Sequence, residues 1–216
     1  MVPPGLLTRW RELLSTIENE QIDPLLVNKD IFAQLNDCIK PHVGTRTGAD
    51  LASWMAQCYV AFVGTAIRRL AERLSRYPSV SLRILLEELL SNASCLTFQW
   101  YESHYDNPDV ARRFAQQHFD QLAGCANCTS FPVRTIQADI DELERVTAGV
   151  KTLTDKFIAH TDLRRHTVTL PTYADLDKAV DVIWELFSKY RQLLTGAPPA
   201  EALLDDVRPD LKKIWP

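Results

Sequence analysis

Glycine is scarce in this sequence, and runs of alternating β-branched residues, which mark β-strands, are almost missing. Only 7 of the 216 residues are glycine. Apolar residues recur instead at intervals of three and four, which places their side chains on one face of a helix. The sequence therefore predicts an all-α fold, an up-and-down bundle of long antiparallel helices.

Long apolar runs and an excess of basic residues are also missing. No run reaches the roughly 18 apolar residues that a membrane-spanning helix needs, and the first five residues lack the basic and apolar regions of a signal peptide. The formal charge of −4 excludes bulk attraction to nucleic acid, so contact with RNA would require a local basic patch. We expect a cytoplasmic protein with no membrane partner.

Cysteine is present in an odd number, and only one pair is close in sequence. Of five cysteines, Cys125 and Cys128 form a Cys-x-x-Cys motif, without the second pair of ligands that a zinc site requires. The motif follows a predicted helix end at Gly124, whereas a redox motif opens a helix. We interpret it as a plain loop, with zinc or redox use as the alternative, and we expect no metal and no cofactor.

The chain is long enough for one sizeable core, and no repeat or low-complexity linker divides it. We expect a single domain over residues 1–216, with a core at about 49–195 and a tail at 197–216 docked on the bundle. The first helix is expected to break at Asp23-Pro24. Predicted helices span residues 6–20, about 26–39, 49–76, 82–90, 107–123, 134–161 and 172–195, the last opened by a Thr172–Asp175 capping box.

Residues 93–105 carry an unusual number of aromatic side chains and are left open between helix and ordered loop. These rings can stack on nucleic-acid bases, but no arginine or lysine is interleaved with them. Packing against the bundle is the interpretation that we favour.

The third predicted helix carries two adjacent arginines near its end. Its predicted apolar arc is made of Leu51, Met55, Cys58, Phe62, Ala66, Leu70 and Leu74, and is widened by Trp54, Tyr59 and Val63. At 100° per residue, Arg68 points away from this arc and is expected on the surface, while Arg69 is expected to be partly buried. A structural ion pair is the favoured role of Arg69, and a substrate contact is the alternative.

The stretch around His160 closes the longest predicted helix. Reading back from this histidine, apolar residues recur at helical spacing at Phe157, Leu153, Val150, Val146, Leu143, Ile140 and Ile136. The spacing predicts that a titratable ring stands at the end of a packed stripe. The sequence offers two interpretations, a catalytic histidine or a core-edge residue that ties the helix end to a backbone carbonyl.

Positive charge accumulates around His160. Lys156 lies one helical turn earlier, and the following loop adds Arg164, Arg165 and His166. A pocket that combines a histidine with cations can bind a phosphate and move a proton, because histidine titrates nearest neutrality. Metal-independent RNA cleavage requires little more: a base for the 2′-hydroxyl, a cation for the phosphate and an acid for the leaving oxygen.

Several short motifs in order resemble the HEPN superfamily, specifically its abortive-infection (Abi) U-type branch. The resemblance covers most of the chain from about residue 55. Its motifs are Ile67-Arg68-Arg69, Val80-Ser81-Leu82-Arg83, Asp155-Lys156-Phe157-Ile158-Ala159-His160-Thr161-Asp162, Pro171-Thr172-Tyr173 and the closing Ile214-Trp215-Pro216.

The resemblance implies a HEPN-type helical bundle, often a homodimer whose signature helices face each other, with a role in phage defence or with a toxin or antitoxin partner. It implies RNA as substrate, His160 and Asp155 as site residues, and an arginine five to seven residues before the histidine. Thr154 stands at the expected place of that arginine. Lys156 and Lys151 are the candidates to replace it, and Arg69, Arg164, Arg165 and His166 are candidate phosphate contacts.

Overall fold

The structure is a computed structural model that describes residues 2–73, 79–105, 109, 111–158, 170–199 and 208, with the backbone alone at 111, 112 and 157. Within these ranges every regular element is helical, and the one pairing of β type is an isolated bridge between Thr97 and Ser130. The predicted all-α helical bundle is therefore confirmed.

Eight α-helices are found in the part of the chain that the structure describes. In chain order they are α1 (Pro4–Ile17), α2 (Asp23–Ile39), α3 (Arg46–Leu70), α4 (Leu82–Ser91), α5 (Phe98–Glu102), α6 (Gln116–Ala123), α7 (Val133–Leu153) and α8 (Tyr173–Thr195).

The predicted break at Asp23-Pro24 is wrong, because the backbone stays helical from α1 into α2. A wider π-type turn, Glu18–Ile22, joins the two helices, and the N–H of Asp23 donates to the carbonyl of Glu18. Pro24 then occupies the first turn of α2. A proline is tolerated there because it lacks an N–H at a position where no intrahelical bond is required.

The core is organised on α7, which packs against α3, α4 and α8. Five members of the predicted stripe are buried, and Val146 is partly buried against them: the five are Ile136, Ile140, Leu143, Val150 and Leu153. The side chain of Phe157 lies outside the described residues. The core also takes in Trp10, Leu14 and Ile17 of α1, so it extends beyond the expected 49–195.

Helix α8 runs antiparallel to α7, as its polar contacts indicate. Tyr190, near the end of α8, donates a hydrogen bond to Asp139, near the start of α7. Pro171, just before α8, lies beside Gly149 near the other end of α7. The capping box of Thr172 and Asp175 opens α8 as predicted.

The aromatic segment is ordered and packs inward. A short 3₁₀ turn, Ala93–Cys95, is followed by α5, in which Trp100 and Tyr101 are buried. Packing on the bundle is thus confirmed for these two rings. Of the expected tail at 197–216, the described part includes Ala197 and Pro198, whose carbonyls accept hydrogen bonds from Arg191 of α8.

Helix α4 carries a buried cation that the sequence analysis did not identify. Arg83 is 5% exposed and lies between two carboxylates, Glu87 on its own helix and Glu144 on α7. Its Nη1 also donates to the carbonyl of Ile140 at 3.3 Å. Buried charges are retained in proteins when they are paired in this way, so Arg83 ties α4 to α7.

No helix within the described residues combines the length and the apolarity that crossing a bilayer demands.

We expect that Tyr190→Phe lowers the free energy of unfolding by about 1.5–3 kcal/mol, the range for a hydrogen bond to a charged group. The Tyr190 hydroxyl is fully buried and donates to Asp139 Oδ2 at 2.6 Å, an atom that Lys189 Nζ also contacts at 2.6 Å. Urea unfolding followed by circular dichroism measures the change. Tyr173→Phe is the control, since that residue is 47% exposed, and equal losses in both variants would contradict the prediction.

Stability is expected to fall on acidification, in part because of His104. Burial, together with the positive charge of Arg11, lowers the pKa of His104 below its ordinary value of 6.5, and its Nε2 is buried without a hydrogen-bond partner in the described structure. The unfolded chain therefore binds a proton that the folded chain excludes, so this contribution favours unfolding once the pH falls below about 6.5.

The measurement is the free energy of unfolding at several pH values between 5 and 8 for the wild type and for His104→Gln. The variant is expected to show a shallower loss between pH 7 and pH 5. Identical pH slopes for the two proteins would contradict the role of His104.

Candidate functional site

The predicted site falls partly within the described residues. Asp155 and Lys156 are described and partly buried, and both belong to a π-type turn, Thr154–Ile158, that continues α7. The other predicted residues on this part of the chain, His160, Arg164, Arg165 and His166, lie outside the described residues.

The π-type turn begins at Thr154, a residue that is 3% exposed. Its hydroxyl donates back to the carbonyl of Val150 at 3.0 Å, a contact typical of threonine within helices that bends the backbone locally. Single π-type turns inside helices are frequent at functional sites, because the added residue re-aims the side chains that follow. Residues Thr154–Ile158 thus depart from the regular helix that the apolar spacing predicted.

Thr154 is small because α3 passes close to it. A side chain at Gly64 of α3 would begin 3.3 Å from Thr154 Oγ1 and 3.3 Å from Ile158 Cδ1. These distances are tighter than ordinary carbon contacts, so the two helices meet where both sequences supply little volume. An arginine in place of Thr154 would be buried against α3. Packing against α3 therefore disfavours a large side chain at position 154.

Arg68 lies one helical turn beyond Gly64 and reaches the site from α3. Its Nε is 2.8 Å from Asp155 Oδ1. The N–H is not directed at that oxygen, since Nε is buried and makes no hydrogen bond within the described structure. The contact is therefore a charge pair, with the two side chains 42% and 39% exposed. An arginine thus stands beside Asp155, although no arginine lies five to seven residues before His160 in the sequence.

The two adjacent arginines differ in burial from what the helical spacing predicted. Arg69, expected to be partly buried in a structural ion pair, is exposed, whereas Arg68, expected on the surface, is half-buried and paired. The predicted arc is confirmed at Met55 and Leu70, and at Tyr59 and Val63 beside it, whereas Cys58 and Phe62 lie at the surface and Ile67, outside the predicted arc, is buried. Arg69 lines a separate groove with Glu20 and other residues, so its predicted phosphate contact is not placed beside Asp155.

A groove of about 520 Å³ opens beside Arg68, between the ends of α3 and α7. Its lining residues are Arg68, Ala71, Glu72, Arg73, Glu144, Thr147, Ala148 and Lys151. Arg73 pairs with Glu144, the same carboxylate that Arg83 contacts from beneath. Glu144 is thus paired with arginines and Arg68 is paired with Asp155, while Glu72 and Lys151 complete the charged lining of the groove.

Metal ligation has no geometric support in the described ranges. No group of three or more histidine, cysteine, aspartate or glutamate side chains is close enough there to hold an ion. Cys125 and Cys128 form a disulfide in the loop that follows α6. The loop was predicted, whereas the disulfide was not.

Comparison of the chain with family models, with curated proteins and with solved structures found no match. The resemblance to the HEPN superfamily therefore depends on the short motifs in the sequence and stays a prediction.

The sequence did not predict the pair of Arg68 with Asp155, although a signal was present. A glycine within a helix, such as Gly64, allows another helix to approach closely. Arg68 follows Gly64 by four residues and therefore lies on nearly the same side of α3. The apolar residues of α3 cover most of its circumference, so their pattern left the direction of the buried arc undetermined.

We expect that Thr154→Arg, which introduces the arginine that the sequence resemblance implies, lowers the free energy of unfolding by about 3 kcal/mol or more. The cause is a charge buried against Gly64 without a partner. Thr152→Arg is the matched control, because Thr152 is partly exposed, and it is expected to change stability by less than about 0.5 kcal/mol. Chemical unfolding measures both variants, and a Thr154→Arg protein as stable as the control would refute the close contact.

Proposed function

We propose that the chain is a HEPN-like helical protein with a defence-linked, RNA-related role, and that its site cleaves RNA without a metal. The observation that carries the proposal is the pair of Arg68 with Asp155, whose side chains approach to 2.8 Å. Asp155 lies five residues before His160 in the sequence. It supplies, from another helix, the arginine that the signature stretch lacks.

The reaction proposed is internal transesterification of the RNA backbone. The 2′-hydroxyl gives its proton to a base, and its oxygen bonds to the adjacent phosphorus. The bond from phosphorus to the 5′ oxygen breaks, and that oxygen takes a proton from an acid. The products are a 2′,3′-cyclic phosphate and a 5′-hydroxyl. We assign the proton transfer to His160, because histidine is the residue type whose unperturbed side chain titrates nearest neutral pH.

Arg68 is suited to hold the phosphate. A guanidinium offers planar, paired N–H donors that match two phosphate oxygens, whereas the ammonium of Lys156 or Lys151 is a point charge. The side chain is 42% exposed and borders the groove. Asp155 positions the guanidinium through its charge, and the lysines add positive potential where the phosphate charge increases.

The alternative is a non-catalytic binding or scaffolding module, in which the Arg68–Asp155 pair only joins α3 to the end of α7. A partly exposed pair of this kind, with side chains 42% and 39% accessible, contributes about 0–1 kcal/mol to stability. A structural role therefore predicts a small change in unfolding and no change in RNA chemistry when Arg68 is replaced.

We expect the purified protein to cleave single-stranded or structured RNA in the presence of EDTA, and His160→Ala to abolish the cleavage. Arg68→Ala is expected to lower the rate by about 100-fold or more, and Arg68→Lys by at least about 10-fold, since lysine lacks the planar fork. Arg46→Ala is the matched control, because Arg46 lies at the other end of α3 with a side chain 97% exposed.

The outcomes separate the two proposals. Equal background cleavage by the wild type and by His160→Ala would exclude the enzymatic function. Fluorescence anisotropy with labelled RNA would then measure whether the protein binds RNA. RNA binding that weakens in Arg68→Ala but not in Arg46→Ala would support the binding module. RNA binding and cleavage insensitive to Arg68 would leave the pair with a structural role alone.

The defence-linked setting and the toxin or antitoxin partner are supported only by the sequence resemblance. A neighbouring reading frame whose product binds this chain would support that part of the proposal. Co-purification of the two tagged products measures the binding.

A further inference from the structure

One face of α3 is apolar and open to solvent. Trp54 is 62% exposed and Phe62 is 39% exposed, and Cys58, which lies between them, is also exposed. Together with Leu51, which is partly exposed, they form what we name the outer stripe, residues Leu51, Trp54, Cys58 and Phe62. Large exposed aromatic side chains in one contiguous patch mark interaction surfaces.

The spacing of the outer stripe is that of a helix-packing seam. Its members follow one another by three, four and four residues, which keeps them on one side of α3. Helix α2 lies beside it, and the two helices enclose a groove of about 390 Å³ lined by Ile31, Leu35 and members of the stripe. The surface thus combines projecting rings with a cavity that can receive a ring.

The outer stripe is complementary to itself. A two-fold axis at Cys58, perpendicular to α3, sets Trp54 of one copy level with Phe62 of the other, because both lie four residues from Cys58. The two α3 helices are then antiparallel, and each Trp54 ring lies beside the groove of the opposite copy. Contacts of this kind, in which one patch meets its own equivalent, define two-fold symmetric dimers.

Charge at the two ends of the stripe does not select the partner. Arg69 follows the stripe at one end, and Asp50, which precedes it at the other, lies 4.0 Å from Arg46 of its own chain. Antiparallel helices oppose their dipoles favourably.

The size of the surface is adequate for a dimer. From residue 47 to residue 69 the helix extends about 33 Å at 1.5 Å per residue, and the neighbouring α2 makes the surface about 20 Å wide. This gives on the order of 650 Å² per copy and about 1,300 Å² in total. Specific interfaces bury about 1,200–2,000 Å² in total.

We propose that a second copy of this chain docks on the outer stripe, with the two α3 helices antiparallel and Cys58 at the two-fold axis. The surface differs from that of the dimer implied by the family resemblance, which uses the signature helix. It also faces away from the contact of α3 with Thr154, so the proposal does not depend on the proposed function.

The first test is the mass of the purified full chain in sedimentation velocity. The wild type is expected to sediment at twice the chain mass of 24.6 kDa, and Trp54→Glu at the mass of one chain. A buried tryptophan at the centre of an interface is typically a hot spot, and the dimer loses two, so the dissociation constant is expected to rise at least 100-fold.

Val133→Glu is the control, since Val133 is an exposed apolar residue, 58% accessible, at the start of α7, and it is expected to remain dimeric. Trp54 is largely exposed, so Trp54→Glu is expected to fold, and circular dichroism checks this. In the wild type, a short bis-maleimide is expected to join the two Cys58 thiols, whose helices would pack 8–10 Å apart, and Cys58→Ser is expected to lose the cross-link.

Each outcome decides the proposal. A wild type that is monomeric at 100 µM would overturn it and would leave the stripe for a helix of another protein. A Trp54→Glu variant that remains dimeric, or a dimer that gives no cross-link through Cys58, would overturn it as well and would move the contact to another face.

Discussion

The close approach of α3 and α7 at Gly64 and Thr154 is the constraint on which the site depends. With a glycine on one helix and a threonine on the other, the backbones come near enough for Arg68, one turn further along α3, to reach Asp155 at 2.8 Å. The same contact excludes an arginine from position 154. An arginine of α3 thus stands beside Asp155 at the end of α7.

The bundle around this contact is held by burial and by a few polar ties. Helix α7 supplies the central apolar stripe, and the pairs that join it to its neighbours, through Arg83 to α4 and through Asp139 to α8, lie on flanking sides of that helix. Burial sets the magnitude of the stabilisation because it is proportional to the apolar area removed from water. The polar ties fix which residues oppose one another, since a buried charge is tolerated only beside its partner.

Much of the fold could be predicted from the sequence, because the features concerned depend on interactions between residues that are close in the chain. The stripe of α7 and the capping box at Thr172 depend on residues close in the chain, and both are confirmed. The direction of α3 and the partner of Arg68 depend on contacts between distant residues. Apolar side chains surround α3 almost completely, so periodicity alone could not decide which of them face the core. Trp54 and Phe62 were expected inside and lie at the surface.

Arg83 has a consequence for how this sequence can change over evolutionary time. Its guanidinium is shared by Glu87 and Glu144, so a neutral residue at position 83 would leave Glu87 without this partner and Glu144 with Arg73 alone. Change at any of these three positions would therefore favour compensating change at the others. In diverging descendants of this chain the residues at these three positions should covary. Their joint replacement by apolar residues would also preserve the packing of α4 on α7, because no buried charge would remain unpaired.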